Sequence, residues 1–298
     1  MKNNIILGHL MTLMTIFIWG VTFVSTKVLL VHLTPIEILF YRFLVAYILL
    51  LVIYPKIKKV NSAKEEILFF FLGFFGIFMY FLLENIALKY TLASNVGLFM
   101  STIPIITSLI VVFGTKDEKF RKELIYGFLI AIIGVFLIIF NGKFILKLNP
   151  IGDILALIAA LSFSIYSNLL KKINNKYNYL FITRKIFFYG IICMIPIIFL
   201  KHEQFSPNKL LIPEVFWNIV FLGVAASTLC FVMWNKAVSI IGAIKASNYI
   251  YLVPIITIGT SVLIINETIT IFIILGGILT LSGVYISEKG FKIIKIKK

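Results

Sequence analysis

The amino-acid sequence predicts an all-α integral membrane protein whose ten transmembrane helices form two inverted five-helix repeats. Three observations carry this: the composition, ten apolar stretches of membrane-crossing length, and an internal repeat. Of the 298 residues, 61% are hydrophobic and 13% charged, against about 45–50% and about 25% in a soluble domain. Too few polar groups remain to cover a soluble surface. The formal net charge of +16 does not indicate a nucleic-acid partner, because the basic residues fall in short blocks between apolar runs and form no continuous face.

The apolar stretches lie at 6–31, 36–54, 67–88, 93–114, 124–141, 150–170, 181–200, 214–235, 243–265 and 270–288. Each approaches the ~20 residues that cross ~30 Å of hydrocarbon, and a helix satisfies the backbone of such a segment internally. The first is too long for a cleaved signal peptide, contains Trp19 and Lys27, and precedes no small-residue cleavage site, so it reads as a retained helix. Lys and Arg set the orientation. With the N-terminus inside, 18 fall in cytoplasmic segments and 5 in external ones, while Lys27, Arg42, Arg184, Lys185 and Lys236 lie within spans or at their edges. Both termini are then cytoplasmic, which requires an even number of spans.

The chain also repeats itself. Asn85, Ala87, Ala93 and Pro104-Ile105-Ile106-Thr107 recur 150 residues later as Asn235, Ala237, Ala243 and Pro254-Ile255-Ile256-Thr257. One residue is then lost, and Glu118, Gly127 and Gly134 recur as Glu267, Gly276 and Gly283. Gly8 and Lys27 match Gly152 and Lys171 at an offset of 144. Residues 1–145 form the first five-helix unit, and 146–298 the second with a basic cytoplasmic tail. Five is odd, so the second copy enters from the opposite side. Inverted repeats of this kind build transporters that alternate access around a midplane site.

The motifs have a familiar order. Trp19-Gly20 followed by Lys27, the Pro35 to Arg42 segment, and the Pro104 to Glu118 to Gly134 series resemble the first repeat of EamA-type transporters, in the drug/metabolite transporter superfamily. Pro150-x-Gly152-Asp153, Trp234-Asn235-Lys236-Ala237 and Pro254 to Glu267 to Gly283 resemble the second. The resemblance implies ten helices in two inverted repeats, in the bacterial cytoplasmic (inner) membrane. It also implies efflux of amino acids, related metabolites or toxic compounds. The chain departs from the pattern at Lys116-Asp117, which adds charge before Glu118, and at Phe163, where a Trp is common. The expected function is secondary export of amino acids or related small metabolites by alternating access.

Two other classes compete. An integral membrane enzyme would need a nucleophile, a metal or a cluster of His and acids at one interface. A sensor or assembly factor would carry a soluble domain or a long loop. The sequence shows neither, so no enzyme activity and no cofactor are expected. Cys193 and Cys230 sit in apolar spans as packing residues. His9, His32 and His202 have no metal-ligand spacing, and there is no Gly-rich phosphate loop. The expected partners are a small-molecule substrate and membrane lipid. Small residues such as Gly73, Gly76, Gly276 and Gly277 permit close helix contact, within the chain or at a homodimer face.

Trp19, Thr22, Asn95, Tyr166, Asn248 and Tyr251 are the candidate substrate-binding residues. They lie at comparable depth on spans 1, 4, 6 and 9, two pairs of repeat mates. Hydrogen-bonded helix glue is the competing account of the polar members. Lys27, Arg42 and Glu84 are ionisable groups inside spans, and such groups are costly unless paired or hydrated. They form a charge network along the pathway, or the long basic side chains reach the headgroups. Pro104 and Pro254 lie about eleven residues into their spans, where each removes a backbone hydrogen bond. They act as paired kinks beside a cavity or as static packing devices. Glu118 and Glu267 read as carboxylates at the N-terminus of the following helix.

Overall fold

The computed structural model describes residues 2–56, 59–90, 93–114, 122–140, 150–173, 176–200, 205, 207–257 and 271–289. Among them the regular elements are all helical. Helix α1 spans Lys2–Leu29. At Thr34 the chain forms a capping box: the Thr34 side chain accepts from the Glu37 N–H (3.3 Å), and Glu37 Oε2 accepts from the Thr34 N–H (2.8 Å). With Pro35 at the first helical position, this starts α2, Pro35–Ile53. Ser62 caps α3, which runs Ala63–Tyr90. Helix α4 comes in two pieces, Ala93–Met100 and Ile103–Gly114, and α5 spans Lys122–Phe140.

The second repeat follows the same plan. It comprises α6 at Pro150–Leu170, α7 at Tyr179–Leu200 and α8 at Pro213–Ile241. Gly242, at φ +86°, ends α8 in a conformation that L side chains avoid and turns the chain into α9. Helix α9 begins as Ala243–Asn248, tightens into a 3₁₀ turn at Tyr249–Leu252 and continues to residue 257. Helix α10 is Ile271–Lys289.

Among the described residues α1, α2, α3, α6, α7 and α8 are long and apolar enough to cross a membrane, and α5 and α10 contain the shorter apolar stretches Ile125–Gly134 and Ile274–Ser287. The expected spans 67–88 and 214–235 lengthen to Ala63–Tyr90 and Pro213–Ile241. Their ends carry Glu65, Glu66, Asn235 and Ser239, which end an apolar run without ending the helical hydrogen bonding. At 28 and 29 residues these helices reach about 42 Å, longer than the hydrocarbon is thick.

Glycine sets the closest helix contact. A Cβ on Gly134 of α5 would lie 2.5 Å from the Thr280 nitrogen and 2.6 Å from the Gly276 carbonyl of α10. Only bare backbones approach this closely, so these small residues pack α5 against its repeat mate.

Helices α3 and α8 each contain a π-helical segment, at Phe74–Met79 and Phe221–Leu229. The 150-residue offset carries 74–79 onto 224–229, so the irregularity occupies the same place in both repeats. A π turn disturbs the regular hydrogen-bond ladder and frees carbonyls for other donors. Here Phe75 O accepts from Ser162 Oγ of α6 (2.8 Å), and Ala226 O accepts from Trp19 Nε1 of α1 (3.0 Å). Each π segment thus receives a hydrogen bond from the first helix of the other repeat.

Candidate substrate cavity

The sequence places proline in the fourth helix of each repeat, and both helices are interrupted there. Pro104 cannot donate to Met100 O, and Ser101 and Thr102 separate the two pieces of α4. Their hydroxyls turn back onto local carbonyls, Ser101 Oγ to Gly97 O (3.1 Å) and Thr102 Oγ1 to Phe99 O (2.6 Å). In α9 the 3₁₀ turn at Tyr249–Leu252 immediately precedes Pro254. The spans expected as continuous kinked helices are therefore segmented. In α4 these polar side chains bond within the helix, which reduces the cost of the break.

A cavity of about 30 Å³ opens beside both interruptions. That is room for about two water molecules. Met100 and Ile103 of α4 face it together with Ile250 and Val253 of α9, their counterparts at the offset of 150. Trp19 of α1 faces Phe163 of α6, its counterpart at 144, edge to face with centroids 5.7 Å apart. Three pairs of repeat mates thus line one space, as a pseudo-twofold axis through it requires.

The rest of the lining breaks that symmetry. Thr22 and Phe23 of α1, Arg42 of α2, and Tyr80, Phe81 and Glu84 of α3 all belong to the first repeat. Arg42 is 2% exposed and Glu84 6%. The guanidinium donates from Nε to Ser227 Oγ of α8 (3.1 Å) and lies over the Phe81 ring, 4.3 Å from its centroid. Among the described residues Ser227 is its one hydrogen-bond partner. Glu84 is an electrostatic neighbour of Arg42 and of the Tyr80 hydroxyl, but no direct ion pair joins it to Arg42. Its Oε2 is buried without a hydrogen-bond partner. A cation and an anion thus face the same small space without neutralising each other directly. Burial at this level is costly unless something in the space completes the pairing.

The structure brings some candidates together and separates others. Trp19, Thr22, Arg42 and Glu84 share the cavity. Lys27 is exposed on α1 and does not line the cavity. Tyr166 stands behind Phe163 (centroids 5.6 Å apart) and donates to Asn235 Oδ1 (2.6 Å), while Asn235 Nδ2 donates to Thr183 Oγ1 (2.9 Å). Tyr251 packs in a small cluster with Ala131 and Val284. Asn248 is buried, and neither atom of its amide has a hydrogen-bond partner. The side chain of Asn95 lies outside the described residues, as do Glu118 and Glu267. Sequence reasoning missed Tyr80 and Ser227. Tyr80 lies four residues before Glu84, so the two share a helix face, and that spacing was readable. Ser227 reaches Arg42 across 185 residues, and no sequence pattern reports such a contact.

Polar contacts join the repeats at both ends of the bundle. At one, Lys176 pairs with Glu65 (2.8 Å) and Lys185 with Glu66 (2.8 Å). The hydroxyls of Tyr177 and Tyr189 bond to the same two carboxylates. The hydrogen bond to Glu65 holds the Lys176 ammonium above its usual range. Arg184 donates to the Tyr54 and Lys56 carbonyls at the end of α2. At the opposite end Lys209 pairs with Glu37 (3.3 Å), and Ser25 donates to Asn218 Oδ1 (2.6 Å). The cavity lies between these two sets of contacts.

The sequence profile of the EamA-like transporter family matches residues 6–140 and again 150–288. The chain belongs to the EamA-like transporter family. Two matches to one profile show the duplication directly, and this EamA-like chain is an all-helical, multi-pass membrane transporter of two inverted five-helix repeats. An uncharacterized transporter of Archaeoglobus fulgidus is 28% identical over 94% of this chain and 96% of its own length. The uncharacterized transporter YyaM of Bacillus subtilis is 28% identical over 89% of this chain and 88% of its own. A crystal structure of a protein with 15% identity matches with a TM-score of 0.78 over 95% of this chain and 98% of that one, which supports the fold alone.

Proposed function

We propose that the chain is a secondary transporter exporting amino acids or closely related small metabolites by alternating access between its two repeats. The observation that carries this is the unpaired charge couple in the cavity. Arg42 offers N–H donors suited to a carboxylate, and Glu84 offers a bare oxygen suited to an ammonium. A zwitterion completes both. The surrounding Trp19, Phe23, Phe81 and Phe163 form the apolar wall against which a side chain would pack once the halves part to widen a space that has room for about two waters. A cavity lined by three pairs of repeat mates, in a chain of mated halves, favours carrying over catalysis. The charge bias of the connections supports placement in the bacterial inner membrane with both termini cytoplasmic.

The test is counterflow in proteoliposomes with labelled L-leucine. Isoamylamine and isocaproate, each lacking one of the two charges, serve as competitors. Exchange of L-leucine that neither analogue inhibits strongly is the expected result. Equal inhibition by either analogue, or uptake unaffected by Arg42→Met, would remove the zwitterion reading.

A further inference from the structure

If Glu84 and Arg42 hold a zwitterion, the empty carrier has a problem that the loaded one does not. With substrate gone, Arg42 keeps its hydrogen bond to Ser227 and its seat over Phe81. Among the described residues Glu84 keeps the Tyr80 hydroxyl and the field of Arg42, and Oε2 is left buried without a hydrogen-bond partner. A buried carboxylate with an oxygen that nothing hydrogen-bonds resists the return step. Resting on the proposed function, we propose that Glu84 is a proton-binding site of the empty carrier, so that one proton crosses in exchange for each substrate.

The surroundings select a proton over a metal cation. A metal ion needs a shell of several oxygens. Besides the carboxylate, this wall offers the Tyr80 and Thr22 hydroxyls, and Thr22 Oγ1 already donates to Trp19 O (2.7 Å). The remaining lining is the Arg42 guanidinium, which repels a metal ion, the Met100 thioether, and aromatic and aliphatic side chains. The cavity holds about two waters, enough to deliver a hydronium to Oε2 and too few to hydrate a metal. In the step, hydronium gives its proton to Oε2, forming a carboxylic acid and leaving water. On the other side, an entering ammonium displaces the proton to water, and the carboxylate is restored.

The charged and titratable groups around Glu84 are few. Helix α2 contributes Arg42, and α3 itself contributes Tyr80, with Lys89 exposed further along. Helix α6, packed along this part of α3, contributes Tyr166, whose hydroxyl is engaged by Asn235, and Asp153 on its first turn. The described side chains of α4 in contact with α3 carry no charge. The Cys230 thiol of α8 neighbours Arg42 rather than Glu84.

Infrared difference spectroscopy between acid and alkaline pH tests this on the purified full chain without any substrate. The wild type should show one carbonyl-stretch band of a buried carboxylic acid that disappears on deprotonation. Glu84→Gln should lose the band, Glu84→Asp should keep it at a displaced frequency, and Glu37→Gln and Asp153→Asn should leave it unchanged. A band that survives in Glu84→Gln, or none in the wild type, overturns the proposal. A second arm loads proteoliposomes with L-leucine and a pH-sensitive dye. The expected result is proton entry with leucine efflux in the wild type and its loss in Glu84→Gln; proton entry that persists in Glu84→Gln overturns the proposal. Failure of the wild type to move L-leucine counts against the substrate reading, and the infrared arm then decides the proton site alone.

Discussion

Gly76→Ala is expected to destabilise the protein through an uncharged contact between α3 and α6. Gly76 sits in the π segment of α3 against the Tyr166 ring of α6. A Cβ there would come within 2.6 Å of one ring carbon and 2.8 Å of another, and closer still to a third. Tyr166 cannot retreat freely. Its hydroxyl is tied to Asn235 at 2.6 Å, and its ring rests on Phe163, a wall of the cavity. Overpacking of this kind costs about 1–3 kcal/mol, and straining a buried hydrogen bond adds about 1 kcal/mol. Alanine's better helix propensity offsets about 1 kcal/mol, so a net loss of about 1–3 kcal/mol remains. Thermal melting in detergent reads this against Gly97→Ala, whose Cβ would meet nothing within 4 Å and which should be neutral or stabilised. Tyr166→Ala opens space, so the double variant should lose about 1 kcal/mol less than the two singles combined. Gly76→Ala melting together with Gly97→Ala, or strict additivity with Tyr166→Ala, would refute the reasoning.

Other expectations follow from the topology and the cavity. Single cysteines at Asn61 and Asn208, both exposed, should label from opposite sides, Asn61 from the cytoplasm and Asn208 from outside; external labelling at Asn61 would reverse the orientation. Pro104→Ala and Pro254→Ala should leave the protein folded but slow L-leucine counterflow several-fold, because each restores a backbone donor where α4 and α9 are interrupted. Full activity in the double variant would make the prolines packing devices. Arg42→Ala should abolish counterflow while Lys27→Ala changes it less than twofold, since Lys27 is exposed; equal losses would return Lys27 to the network. Asn248→Ala and Tyr251→Phe should lower the melting temperature and leave L-leucine affinity unchanged if these residues only pack, and weakened affinity would extend the site to them.

Much of the fold was legible because the membrane reduces it to two patterns, apolar length and charge between the spans. The duplication was legible because Asn85/Asn235 and Pro104/Pro254 keep their spacing. The cavity was half legible. Trp19 and Thr22 were readable from depth on mated helices, and Arg42 and Glu84 from the cost of charge in hydrocarbon. Depth does not report which way a side chain faces, however. Lys27 shares a helix with Trp19 and Thr22 yet points outward, while Tyr166 and Tyr251 turn into packing. The π segments were invisible for another reason. Phe74-Phe75-Gly76-Ile77-Phe78-Met79 is uniformly apolar and reads as ordinary helix, because the wider turn is chosen by neighbours such as Ser162 and Tyr166.

The π segments at 74–79 and within 221–229 fall at equivalent places under the 150-residue offset. Each half supplies the donor for a π carbonyl of the other, through Ser162 on one side and Trp19 on the other, so the two halves are stitched together backbone to side chain in a reciprocal way. The charge of the cavity follows no such reciprocity: the first half carries Tyr80 and Glu84 where the second has Cys230 and Trp234.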